Sequence, residues 1–270
     1  MLSPQVTRVW SPYEKTELAR VGLSHLVTEV TTEIPVEYLT GSVDFRSWRV
    51  KVTPEVLIPR IETEALVSLV LKDLNQFRLK LDQSNSTSTP ITLVEVGTGS
   101  GAIGLSLWRE LVLSGQYQKI QLNLLDVSAA ALQVAAQNLV ALQHQSQVLK
   151  LAPPPVFEQR NLLTNWSPLT PINLLIANLP YIPAARISKL DASVRDFEPL
   201  LALNGGKDGL RLIEKLLCQS QNLLAPNGII WLEIDETHSM ADFEKFKLPF
   251  NYQFFNDCFD RPRFVRGAKC

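Results

Sequence analysis

ITLVEVGTGSGAIGLSLWREL, residues 91–111, holds the decision about the fold. Ile91 to Val96 is dominated by branched apolar side chains and predicts a strand buried on both faces. Gly97-Thr98-Gly99-Ser100-Gly101 then supplies a sharp turn, because glycine reaches backbone conformations that side chains disfavour. AIGLSLWREL (102–111) carries apolar residues at helical spacing. The same order of strand, turn and helix recurs downstream. IQLNLLDV (120–127) reads as a second strand and SAAALQVAAQNLVALQ (128–143) as its helix. VFEQRNLL (156–163) is a third strand and INLLIANLPYIP (172–183) a fourth that ends in a turn. DGLRLIEKLLCQSQNLLAP (208–226) predicts a long helix, GIIWLEI (228–234) a fifth strand, and NYQFFNDCFDRPRFV (251–265) the closing strands. Strands alternating with helices predict an α/β fold with a doubly wound parallel sheet. Ligands of such sheets sit beyond the carboxyl ends of the strands, where the motifs below all fall.

Upstream, residues 12–33 show a loose helical period through Leu18, Val21, Leu26 and Val30. EYLTG (37–41), VDFRSW (43–48) and RVKV (49–52) read as short β-prone pieces. From Arg60 to Leu81 one apolar stripe of Leu66, Leu69, Val70, Leu74 and Phe77 predicts a helix, followed by the polar DQSNSTSTP (82–90) as a linker. The chain therefore divides into a short helical N-terminal extension (1–35), a hairpin and helix region (36–90) and the main domain (91–270).

Composition narrows the class of protein. With 46% hydrophobic and 20% charged residues, the 270-residue chain reads as an ordinary globular protein with a sizeable core. A net charge of -1 argues against a broad grip on a nucleic-acid backbone. Arg261, Arg263, Arg266 and Lys269 crowd together near the end, but Asp257 and Asp260 beside them suggest a solvated tail. Cys218, Cys258 and Cys270 lie far apart, with no disulfide framework or zinc spacing, which fits a reducing cytoplasm. The first 15 residues lack the apolar core of a signal peptide, and no run reaches the length of a membrane span.

The glycine loop is ambiguous alone. Gly99 to Gly104 formally matches the dinucleotide fingerprint, and a tight turn without any ligand is the plainer alternative. Two acids move the reading away from nicotinamide cofactors. Glu95, just before the first glycine, suits a cation such as the ammonium or sulfonium end of S-adenosylmethionine and would repel a pyrophosphate. Asp126 ends the second strand as an acceptor for two ribose hydroxyls, 27 residues beyond Gly99 where the dinucleotide pattern expects about 20. Gly97, Thr98, Gly99, Ser100, Gly101, Glu95 and Asp126 are thus the expected cofactor residues, and S-adenosylmethionine the expected cofactor.

Asn178-Leu179-Pro180-Tyr181 ends the fourth strand beside that loop. An amide or exocyclic amine is a poor nucleophile because its lone pair is delocalised. A site can accept hydrogen bonds from the NH₂ group with an Asn oxygen and a backbone carbonyl, so that the lone pair faces an electrophilic methyl. Pro180 stiffens the turn and Tyr181 offers a flat face to a planar group. No strong base is required, since the nitrogen becomes acidic on accepting the methyl. A strand-to-loop corner with a buried tyrosine is the competing reading.

Together these stretches resemble the HemK/PrmC family, the glutamine-N5 methyltransferases of peptide-chain release factors. The resemblance runs from about residue 36 to 267 and includes EYLTG, VLIPRIETEALV (56–67), the glycine loop, NLPYIP and EPLLALNGGKDGLRLIEKLL (198–217). Its specific part is IPR-x-ETE together with EP-x-x-AL-x-GG-x-DG. It implies the Rossmann-like fold of a class I S-adenosylmethionine-dependent methyltransferase, acting on the glutamine of the GGQ motif in a release factor. It also implies that Asn161 and Leu162 flank adenine, that Asn178 to Tyr181 hold the glutamine, and that Arg60, Glu62 and Thr63 lie over the active site. Asn178 would border the cofactor as well. A cytoplasmic monomer, free of membrane and nucleic acid, completes the expectation.

The chain departs from the family pattern at several positions. Leu179 replaces the first proline of Asn-Pro-Pro-Tyr, Ile61 the second proline of IPRPET, Asn161 an aspartate, Leu162 an aromatic residue and Asn173 an acid. About 35 residues precede EYLTG, implying a reduced helical substrate-recognition region. Two other readings stay open: an N-methyltransferase for an exocyclic amine of DNA or RNA, and a silent S-adenosylmethionine-binding module. A nicotinamide oxidoreductase lacks its Tyr-x-x-x-Lys or His/Asp pair.

Overall fold

A computed structural model describes residues 8–83, 91–116 and 120–270, with 77–83 as backbone only. Of the expected linker at 82–90, Asp82 and Gln83 belong to a helix and 84–90 lie outside the described residues, as does the side chain of Phe77.

The helical period at the front resolves into two pieces. Helix α1 (Pro12–Arg20) opens on a capping box between Ser11 and Glu14. Gly22, at φ +77°, interrupts it before α2 (Leu26–Glu29). EYLTG, expected to be extended, instead forms helix α3 (Val36–Thr40). Pro35 presets its start, Gly41 closes it in the left-handed region, and the Tyr38 hydroxyl donates to the Val56 carbonyl at 2.7 Å. Those tertiary partners override a weak strand propensity. The next pieces do form an antiparallel hairpin, β1 (Ser42–Phe45) and β2 (Trp48–Lys51). Trp48 Nε1 donates to Ser106 Oγ at 2.9 Å, and the Asn138 carboxamide bridges Lys51 and the Ser100 carbonyl, docking the hairpin on the glycine loop. Helix α4 (Ile61–Gln83) follows.

The main sheet then unfolds in chain order: β3 (Ile91–Val96), α5 (Ala102–Leu113), β4 (Ile120–Asp126), α6 (Ala129–Gln143), α7 (Gln147–Leu151), β5 (Val156–Gln159) and β6 (Ile172–Ala177). After β6 come β7 (Ile182–Pro183), α8 (Ala184–Ile187), α9 (Ala192–Arg195), α10 (Leu200–Leu203) and β8 (Asn204–Gly206). The chain ends with α11 (Arg211–Ser220), β9 (Leu224–Glu233), α12 (Met240–Glu244), β10 (Phe250–Asn256) and β11 (Pro262–Lys269). Seven strands pair in the order β10-β11-β9-β6-β3-β4-β5. All neighbours are parallel except β11, which runs antiparallel to both β9 and β10. Every residue of β3 is buried, as a central strand covered on both faces requires. Leu93, Leu124, Ile176 and Trp231 pack on one face, with the hairpin, α4 and α5. Val94, Leu125, Ala177 and Leu232 pack on the other, with α11. The chain steps outward from β3 to β5, then restarts on the opposite side at β6. That reversal is the switch point where such sheets open a crevice.

Three expectations change in extent. The third strand stops at Gln159, because Leu162 and Asn165 take positive φ and turn the chain. The long helix covers only Arg211–Ser220: Asp208 Oδ1 accepts from Leu210 N at its start, and β9 has begun by Leu224. The basic cluster is no solvated tail: Arg263, Arg266 and Lys269 lie in β11, between β10 and β9. Arg263 reaches Asp257 at 3.4 Å and Arg266 reaches the distant Asp73 at 2.7 Å. No helix among the described residues is long and apolar enough to cross a membrane.

Candidate active site

A cavity of about 620 Å³ opens at the switch point, over the carboxyl ends of β3, β4 and β6. The glycine loop forms its floor. Gly97, Gly99 and Gly101 all take positive φ, which side chains rarely adopt. Gly97 N and Thr98 N donate to the Leu125 carbonyl at 2.8 and 3.1 Å, carrying the loop across to the end of β4. There Asp126 accepts from Gly99 N and Ser128 N, both at 2.8 Å. Burial raises the Asp126 pKa while these bonds oppose the rise. Its carboxylate is thus fixed at the cavity wall with lone pairs to spare.

Glu95 is fully buried beneath the loop. Its Oε2 accepts from Thr98 Oγ1 at 3.0 Å and from Gly104 N at 3.2 Å, while Oε1 has no partner. Burial pushes this carboxyl up to about 8. The helix start is packed tightly on it: a Cβ at Gly104 would lie 2.4 Å from Glu95 Oε2. An unpartnered, desolvated carboxyl oxygen on a cavity wall is suited to a cation, which favours its ionised form, and two acids on one wall disfavour a pyrophosphate. The residues present therefore fit S-adenosylmethionine, a cationic ligand bearing a ribose.

The facing wall comes from the end of β6. Asn178, Leu179 and Pro180 line the cavity. Leu179 is buried against the floor, so that a Cβ at Gly97 would meet its Cδ2 at 3.0 Å. Asn178 Nδ2 lies 3.5 Å from Thr63 Oγ1 in the first turn of α4, and Thr63 in turn donates to Glu233 Oε2 at 2.8 Å. The Tyr181 hydroxyl donates to the other oxygen of Glu233 at 3.2 Å. Burial raises the pKa of both Glu233 and Tyr181. The short ladder β7–β8 then sets the glycine-rich segment behind the turn. A Cβ at Gly205 would stand 2.7 Å from the Pro180 carbonyl, and one at Gly209 only 2.1 Å from that of Tyr181. Arg60 pairs with buried Glu198, which also accepts from Ile58 N at 3.3 Å. The two most specific sequence stretches are thus clamped to each other and to the turn.

Of the residues expected from sequence, Glu95, Gly97 to Ser100, Asp126, Asn161, Leu162, Asn178 to Pro180, Arg60 and Thr63 line the one cavity. Leu162 does so from a left-handed backbone, at φ +54°. Gly101 starts α5 and packs against Leu105 and Ala135 rather than the cavity. Glu62 faces away, 3.3 Å from Arg261. Tyr181 is not among the lining residues; its hydroxyl is turned to Glu233, so its ring is part of the wall's support instead of a flat surface for a ligand. Sequence reasoning missed Glu233 and Glu198. The signal for Glu233 was an acid inside the apolar strand GIIWLEI, which is costly unless partnered. Among the described residues no cluster of His, Cys, Asp and Glu is arranged to hold a metal, and the three cysteines are free and exposed.

Curated relatives align with most of this sequence. The chain is 41% identical over 209 residues to the release factor glutamine methyltransferase of Moorella thermoacetica, covering 77% of this chain and 64% of that protein. It is 34% identical over 234 residues to the enzyme of the same name from Enterococcus faecalis, covering 83% of this chain and 69% of that one. The human MTRF1L release factor glutamine methyltransferase is 32% identical over 205 residues, or 76% of this chain and 57% of the human protein. The chain thus spans less than two thirds of the length of the Moorella and human relatives. No protein-family model matches it.

Proposed function

The chain belongs to the release factor glutamine methyltransferase family, and we propose that it transfers a methyl group from S-adenosylmethionine to the side-chain amide nitrogen of the GGQ glutamine in a peptide-chain release factor. The observation that carries this reading is the pairing, in one cavity, of an acid wall suited to a cation with an Asn carboxamide held at a strand end. When bound, S-adenosylmethionine supplies an electrophilic methyl on a positively charged sulfur.

The chain's own residues divide the work. Asp126 accepts the ribose hydroxyls, Glu95 offsets positive charge, Thr98, Ser100 and the loop glycines shape the floor, and Asn161 and Leu162 flank the adenine. Asn178 Oδ1 and the Leu179 carbonyl accept the two hydrogens of the glutamine NH₂, turning the nitrogen lone pair toward the methyl. The neighbouring carbonyls of Pro180 and Tyr181 pack closely on Gly205 and Gly209. Arg60 and Thr63 border the acceptor side, and Glu62 supports them from outside through Arg261. Residues 91–270 make up the transfer domain, and 36–90 supply its hairpin and the segment that roofs the acceptor. Orientation and exclusion of water supply the rate, since the leaving proton becomes acidic as the bond to carbon forms.

Incubation with labelled S-adenosylmethionine, an intact release factor and, separately, nucleic acid tests the assignment. Label on the GGQ glutamine, located by peptide mass spectrometry, is expected. Label in the nucleic acid, or a release factor left unmodified, overturns it.

A further inference from the structure

Glu233 is 2% exposed at the carboxyl end of β9, opposite Phe264 of β11. Its oxygens are each taken by one hydroxyl, Thr63 at 2.8 Å and Tyr181 at 3.2 Å. The charged groups facing it are Arg263, which favours the carboxylate, and Glu62, which opposes it.

The direction of the protons in this chain of contacts is constrained. Both hydroxyls donate to Glu233, so the Thr63 hydroxyl proton is committed to it. Thr63 Oγ1 is left with lone pairs, and its other neighbour must be a donor. That neighbour is the carboxamide of Asn178, whose NH₂ end lies 3.5 Å away, a contact long enough to tighten once an acceptor amide fills the site. A carboxamide is nearly symmetric in shape, and its terminal torsion has two broad wells related by a flip. Which end faces the cavity therefore depends on what lies behind it. With NH₂ turned to Thr63, Asn178 presents its oxygen to the cavity, the end that receives a glutamine NH₂. With the ends exchanged, donor would meet donor. We propose that Glu233, acting through Thr63, fixes the Asn178 carboxamide with its oxygen toward the cavity and is thereby a positioning residue for the acceptor amide. This rests on the transfer reading above. Tyr181 secures the second oxygen of Glu233, so that the turn and the end of β9 hold one another.

The test uses the full chain with Thr63→Val, which removes the hydroxyl at constant shape, Thr63→Ser, which restores it, and Glu233→Gln. Two readouts are taken. In ¹⁵N-labelled protein without substrate, the Asn178 side-chain NH₂ pair is assigned by its loss in Asn178→Ala. It should coincide in wild type and Thr63→Ser, and shift and exchange with solvent about tenfold faster in Thr63→Val and Glu233→Gln. In methyl transfer to release factor, kcat should fall by about tenfold or more in Thr63→Val and Glu233→Gln and recover in Thr63→Ser, with KM and S-adenosylhomocysteine affinity about unchanged. The double variant should be no slower than the slower single one, because both break the same path. An unmoved NH₂ pair, an additive double variant, or failure of Thr63→Ser to restore kcat overturns the proposal. Should Glu233→Gln not fold, Thr63→Val and Thr63→Ser still decide it. Should wild type leave the release factor unmethylated, the transfer reading falls, and the NH₂ pair alone decides the orientation.

Discussion

Binding of the cofactor's product, S-adenosylhomocysteine, should release a proton from Glu95. The carboxyl is fully buried, one of its oxygens has no partner, and burial pushes it from 4.5 up to about 8. Its folded value thus lies above its unfolded one. The unliganded protein holds a proton there that the unfolded chain has lost, so its contribution to stability is fully present below pH 4.5 and is lost as pH rises through about 8. A ligand ammonium beside Oε1 reverses the preference and draws the group to its ionised form. At pH 7 about nine tenths of the sites are protonated beforehand, so close to one proton leaves per ligand bound. Apparent affinity should then rise about 50-fold between pH 6 and pH 8 and level off above. Calorimetry at pH 7 in buffers of differing ionisation enthalpy reads the proton directly, as the slope of observed heat against buffer heat. Glu95→Gln keeps the shape and the contacts of Oε2 but has no proton to lose; its slope should drop to about zero and its affinity fall by about 1.5–3 kcal/mol. A wild-type slope indistinguishable from that of Glu95→Gln, or an affinity that falls from pH 6 to 8, refutes the assignment of Glu95 as the partner of a cation.

Asp126→Ala removes the expected ribose acceptor and the anchor of Gly99 N and Ser128 N, and should weaken S-adenosylhomocysteine binding by about 1.5–3 kcal/mol by calorimetry. Asn178→Ala should abolish methylation of release factor while leaving that binding nearly intact; more than half of wild-type turnover would reduce the turn to a structural corner. Leu179→Pro restores the family's usual residue and should keep or raise kcat, since no hydrogen bond from Leu179 N is found among the described residues. The lost burial of Leu179 should nevertheless lower stability in chemical denaturation by about 1–2 kcal/mol. Gly209→Ala drives a Cβ into the Tyr181 carbonyl from a left-handed backbone, and displacement of the turn should cost on the order of 100-fold in kcat with cofactor binding retained.

What could be read in advance followed from how local the cause is. The strand before Gly97, the helix after it and the acid at the end of β4 are specified by residues within a few positions of one another, and period and turn chemistry reveal them. EYLTG misled because its helix is settled by Gly41 and by a hydroxyl contact with Val56, 18 residues away. The third strand was overextended because nothing in VFEQRNLL announces a left-handed Leu162. The C-terminal arginines read as a tail because Arg266 finds its acid at Asp73, 193 positions earlier. At the candidate site, the grouping of Glu95, Gly97, Gly99 and Asp126 along one cavity is legible for the same reason of proximity, since all sit at strand ends beside their turn. The facing wall is half legible. Asn178 lines the cavity as expected, whereas the sequence offers Tyr181 as a surface for a ligand and its hydroxyl turns to Glu233. That pairing depends on the register of β9 against its neighbours, which no short window contains.

The reach of these contacts also orders the birth of the site in time. The glycine loop, Glu95 and Asp126 precede the end of β6 and β9 in the sequence and are synthesised before them. Thr63 must wait 170 positions for Glu233, and Arg60 waits 138 for Glu198. Glu233 also lies beside β11, which follows β9 in the sequence and pairs with it through Phe264. The Glu95–Asp126 wall therefore depends on contacts close in sequence, whereas the Asn178 turn depends on contacts that span most of the chain, and the two meet where the sheet closes.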